Sequence, residues 1–179
     1  MKKPKIDFDA EFWSSYRGND PLQLFDAFFK GDLLSEAKDR LFEIMNYSVK
    51  RKVLSQKDPS HIFYFYLSLR SFLRASCVLY LKSEKLELKD PPEYISRLLQ
   101  GSLSDDEYLN PFLVFRRAFK EWSLTELEQF LTEITYFSLG AYTDLPAGNT
   151  ITPFIHVQKM LDAAQMIRER EFKKQKSKK

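Results

Sequence analysis

The chain is poor in cysteine, histidine and glycine, and each shortage removes a class of chemistry. Cys77 is the only cysteine in 179 residues, so no disulfide framework and no thiolate metal site can form within the chain. The two histidines, His61 and His156, belong to no HExxH pair, and no metal is expected. There is no GxGxxG and no Walker lysine loop, which excludes a standard nucleotide cradle and leaves no cofactor expected. Five glycines against 16 phenylalanines favour long helices over a turn-rich β architecture. No alternating run predicts a strand, and no repeat period suggests a solenoid. The opening MKKPKIDFDAEFW has basic residues but no apolar segment of the secretory kind.

What is abundant is apolar helix. Ser60–Lys82, SHIFYFYLSLRSFLRASCVLYLK, follows Asp58-Pro59, a start signal, and contains neither glycine nor proline. Its apolar side chains cover the whole circumference, which predicts a helix buried on all sides. Arg70 and Arg74 interrupt it, leaving charge-free runs of roughly half the ~20 residues of a membrane span. The run therefore predicts the centre of a bundle and no membrane span. The two arginines share a face with Phe63, Leu67, Cys77 and Leu81. Cations in that company need carboxylates from other helices, or else form a pocket for an anion. Cys77 is expected to be buried and inert.

Net charge is +3, but it is unevenly spread. Lys2, Lys3 and Lys5 stand at one end, and Lys173, Lys174, Lys176, Lys178 and Lys179 at the other. Setting those eight aside leaves 20 basic residues against 25 acidic ones, so the body carries about −5. It offers no basic face for nucleic acid. Only the lysine tails could supply such affinity, and 173–179 is expected to be disordered.

The fold expectation is all-α: a single-domain irregular bundle of about seven helices around a buried central helix, roughly 59–85. One domain spans 1–172, with an arm at 1–19 packed on it through Ile6, Phe8, Phe12, Trp13 and Tyr16. Asp20-Pro21 opens a first helix with Gln23 as capping-box partner and Gly31 as a left-handed stop. Asp32 caps a second, buried through Ala37, Leu41, Ile44, Met45 and Ser48. Lys50, Arg51 and Lys52 suit the dipole at its end. Asp90-Pro91-Pro92-Glu93 starts a short helix that Gly101 closes. Ser104 with Glu107 is a capping box, Asn110-Pro111 starts the next helix, and Ser123 with Glu126 caps another. That helix buries Leu124, Leu127, Phe130, Leu131, Ile134 and Phe137 and ends at Gly140. Thr152-Pro153 opens the last, with Ile155, Met160, Leu161, Ala164 and Ile167 inward to about Phe172.

Candidate ligand-binding residues are Arg70 and Arg74, joined by one of Arg116 and Arg117, with Glu133 as counter-ion. A second set comes from the polar loop Ala141–Thr152, where Tyr142 and Asp144 stand in sequence before His156. No catalytic residue stands out. The leading functional expectation is a non-catalytic cytoplasmic interaction or regulatory protein. Its surplus aromatics would form a homodimer face or a groove for a protein partner. The alternatives are a protein, binding or enzymatic, that holds a small anion through the arginine pair, and a weak nucleic-acid accessory acting through the lysine tails.

Overall fold

The computed structural model describes residues 8–18, 20–50, 52–54, 59–91 and 101–170. The helices there are α1 (Phe8–Trp13), α2 (Pro21–Gly31), α3 (Leu34–Val49), α4 (Ser60–Lys82), α5 (Asp105–Leu109), α6 (Phe112–Glu121), α7 (Leu124–Ser138) and α8 (Ile151–Glu169). A 3-10 turn, Ser83–Lys85, extends α4. No strand forms among the described residues, and the helices pack as one all-α bundle. Of the short helix expected between Asp90 and Gly101, residues 92–100 lie outside them, as do the lysines at 173–179.

Local chemistry sets the helix starts. Ser104 and Ser123 each accept from the backbone N–H three residues on, and Glu107 and Glu126 close the reciprocal half. At α2 the Asp20 side chain accepts from Leu22 N, but Tyr16 rather than Gln23 satisfies the cap's own N–H: Asp20 N donates to Tyr16 Oη at 2.6 Å. Leu33, not Asp32, is the N-cap of α3, and Glu36 accepts from its N–H. Asp32 instead closes α2 in an extended conformation, so Gly31 does not take the left-handed shape expected of it. Before α8, Asn149 Oδ1 accepts from Thr152 N at 3.1 Å, and the helix begins at Ile151, earlier than Thr152-Pro153 suggests.

The core gathers α2, α4 and α6 around phenylalanines. Phe25 and Phe28 meet Phe72 at 5.0 and 5.2 Å, and Phe25 stacks over Phe115 at 6.3 Å. On α3 the buried residues are Ala37, Leu41, Ile44, Met45 and Ser48, the face its spacing predicts. On α7 Phe137 is half-buried and Ser138 takes the last inward place. α1 lies on α4, where Trp13 Nε1 donates to Ser71 Oγ at 3.0 Å.

The largest departure concerns how completely the central helix is enclosed. α4 touches α1, α2, α6 and α7, yet it is not buried all round. Phe63 is 55 % exposed and Leu81 74 %, on the same face as the arginines. α8 is enclosed to a similar degree: Val157, Met160, Leu161, Asp162, Ala163, Ala164, Met166 and Ile167 are all buried, against α2, α3, α5 and α6. Ile155, expected inward, is outward and about half exposed. Among the described residues only α4 is long and apolar enough to cross a membrane, and 61 % of its apolar window is buried against its neighbours.

Candidate functional site

Arg70 and Arg74 sit on a seam between α1 and α7. Arg74 Nε is 2.7 Å from Glu128 Oε1, and its Nη1 is 3.0 Å from Asp9 Oδ2. Arg70 Nε lies 3.5 Å from the same Asp9 oxygen and 4.0 Å from Glu128, with its guanidinium over the Tyr66 ring. Two cations therefore face two carboxylates, and the charge closes locally. Glu133, the expected counter-ion, accepts from Gln129 Nε2 instead. One turn separates Glu128 from Thr132, and Glu128 stands nearer the arginines because Tyr66 Oη and Thr132 Oγ1 pair at 3.0 Å and fix the register.

Neither Arg116 nor Arg117 joins that seam. Arg116 donates to Ser83 Oγ and to the Ser83 carbonyl, tying α6 to the end of α4. Arg117 points the other way, to Glu107 Oε1 at 2.7 Å. Cys77 is half-buried, and burial raises its thiol above the ordinary range, which keeps it protonated and inert.

Arg117 and His156, candidates drawn from separate parts of the sequence, come together in an open cavity of about 630 Å³ between α6 and α8. At its floor lies Glu107, 2 % exposed, which the α5 capping box fixes in place. Lys159 Nζ of α8 meets Glu107 Oε2 at 2.7 Å, opposite Arg117. Burial alone would raise this carboxyl. Hydrogen bonds from Lys159, the Ser104 N–H and Arg117 outweigh it and hold the group at about 2. At the rim His156 Nε2 is 3.0 Å from Glu121 Oε2, and Lys120 is exposed. Val114 and Ile155 supply apolar wall.

A different feature occupies one end of the bundle. Tyr66 meets Thr132 while Arg74 meets Glu128, so α4 runs antiparallel to α7 and the first turn of α4, with Phe63 and Tyr64, stands at the same end as the last turn of α7, with Tyr136. Tyr136 stacks on Tyr142 at 4.4 Å, and Phe137 meets Tyr142 edge-on at 5.5 Å. The Leu54 N–H donates to the Ser138 carbonyl at 2.7 Å, bringing Val53 and the exposed Lys50 and Lys52 to the same end.

No family model matches this chain, and no curated protein or solved structure shows significant similarity to it. The geometry alone must assign the sites. Tyr142 belongs to the aromatic end. Asp144 is exposed on the loop and makes no ion pair among the described residues. His156 pairs with Glu121, not with the loop. No group of histidine, cysteine and acid side chains able to hold a metal occurs among the described residues. Sequence reasoning read Glu107 only as a cap and missed Lys159. The one available signal was the capping box, because a glutamate fixed at the third position of a short helix projects from a known place.

Proposed function

We propose that this is a non-catalytic cytoplasmic interaction or regulatory protein that docks an apolar, acidic protein segment on the aromatic end of its bundle. One observation carries the reading: Phe63, Tyr64 and Tyr136 are 55, 48 and 54 % exposed at one end of the bundle. Large aromatic side chains held at a surface are the material of interface anchors. Lys50 and Lys52 border them, which favours carboxylates on the partner. The lone, half-buried Cys77 suits a reducing compartment.

The test uses two helical peptides of leucine and phenylalanine, one with a glutamate polar face and one with lysine. The acidic peptide should bind saturably and more weakly as salt rises. Phe63→Asp with Tyr136→Asp should abolish that binding while circular dichroism is unchanged. Equal binding of both peptides, or binding indifferent to the double substitution, overturns the reading. Light scattering runs alongside, and a dimer broken by the same substitutions would give the face to a second copy instead.

A further inference from the structure

The cavity between α6 and α8 has a charge balance unlike that of the arginine seam. On the seam two cations meet two carboxylates. In the cavity Arg117, Lys120 and Lys159 face Glu107, while Glu121 is engaged with His156. With His156 counted as neutral, three cations meet two carboxylates and one positive charge is left over. Asp106 lies 3.7 Å from Arg117 Nη2, but its side chain is 75 % exposed, where water screens it. Lys120 has no carboxylate partner among the described residues.

We propose that this cavity binds a small organic phosphate. A phosphate monoester is dianionic near neutral pH, and its oxygens can accept from the donors that Glu107 leaves free on Arg117 and Lys159 and from Lys120. Glu107 holds one guanidinium nitrogen of Arg117 and one direction of the Lys159 ammonium. Arg117 has further N–H donors, and its side chain is 49 % exposed. Lys159, 26 % exposed, keeps donors for a second acceptor. Glu107 thus fixes two donor groups from two helices before any ligand arrives, and such preorganisation lowers the cost of binding. Val114 and Ile155 give the organic part an apolar wall, and a volume of about 630 Å³ is of the size that holds a small molecule. The site is separate from the aromatic end, so neither reading depends on the other.

The probe is phenyl phosphate, with inorganic phosphate and phenol as controls, titrated calorimetrically into the whole chain. Phenyl phosphate should bind saturably, inorganic phosphate more weakly, and phenol not at all. Lys120→Gln breaks no internal pair and should weaken phenyl phosphate by about 5- to 10-fold, the usual loss for one charge-assisted contact. Lys159→Gln should weaken it further, and thermal melting of each variant in the absence of ligand will show that it is folded. Phe63→Asp with Tyr136→Asp should leave phosphate binding unchanged, which separates this site from the docking face. The proposal fails if phenyl phosphate does not saturate at millimolar concentration, or if Lys120→Gln binds it as tightly as the parent.

Discussion

Glu107 shows how one side chain can serve two levels of structure. It closes a cap on its own helix and receives a cation from each of two others. The fall of its carboxyl from 4.5 to about 2 corresponds to at most ~3 kcal/mol. Screening around the half-exposed Arg117 lowers that to about 2 kcal/mol. Its folded value is depressed, so the stabilisation is fully present above 4.5 and is lost as pH falls toward about 2. Glu107→Gln should therefore cost about 2 kcal/mol at pH 7 by denaturant titration, with the gap to the parent closing in acid. Asp32 has the opposite sign. Burial raises its carboxyl despite Arg40 beside it, so its ionised form costs stability that is relieved as pH falls. Asp32→Asn should not share the acid convergence of Glu107→Gln. At the aromatic end Gly140 has a role that its place after a helix does not suggest. A Cβ there would collide with the far end of the Tyr142 ring. The ring can swing away, so Gly140→Ala should change stability by less than about 0.5 kcal/mol. It should nevertheless break the 4.4 Å stack on Tyr136. Donation of its O–H to Tyr136 raises the Tyr142 phenol, and ultraviolet titration should show that phenol returning toward the ordinary value in the variant.

At the scale of the helix, much was legible, the central place of α4 included, and the burial of α8 was not. The α3 face could be read because its apolar residues keep spacings of three and four and its outer face is charged. The capping boxes of α5 and α7 could be read because they are local. The depth at which α8 is buried could not. Composition marks α4 as central, and it touches four helices, but composition does not say that α8 will touch four as well. α8 carries Asp162, Gln158 and Gln165, which make it look like a surface helix. Asp162 is wholly buried because Lys38 reaches it from α3 with both carboxylate oxygens at 2.8 Å, and Ser102 also donates to it. Those partners stand 124 and 60 positions away, beyond any pattern in the sequence. The candidate site was split for the same reason: Arg117 and His156 were each visible, but the Glu107 floor that unites them is a tertiary fact. A pair of substitutions tests where each helix meets the core. Leu161→Ala on α8 empties a fully buried position and should cost about 3–5 kcal/mol. Leu81→Ala on α4 should stay within about 0.5 kcal/mol, because its side chain is 74 % exposed. Similar losses at both positions in urea titrations would mean that the face of α4 bearing Leu81 is enclosed as well.

Across the whole molecule, α8 is tied to each neighbour by polar contacts as well as by packing. Arg168 meets Asp26 of α2, Asp162 meets Lys38 of α3, Lys159 meets Glu107 of α5, and His156 meets Glu121 of α6. Just past the helix, buried Arg170 donates to the carbonyls of Lys89, Tyr108 and Leu109. Between these ties Val157, Met160, Leu161, Met166 and Ile167 fill the space facing α2, α3 and α6. Burial of a large apolar side chain contributes roughly 1.5–3 kcal/mol, so these five contribute about 7–15 kcal/mol. That is the size of a whole domain's net stability. A chain ended at Thr150 would still have to order α2, α3 and α6 but would leave their facing surfaces in water. It should therefore lose cooperative melting everywhere, including where α8 makes no direct contact. The two tryptophans report on this, because Trp13 lies against α4 and Trp122 at the junction of α6 and α7. In the full chain their fluorescence should change in one transition with the helical circular dichroism. In the shortened chain neither should show a sigmoidal transition. A cooperative melt of residues 1–150 would mean that α1, α4 and α7 hold together without α8, and that the molecule has two centres of stability.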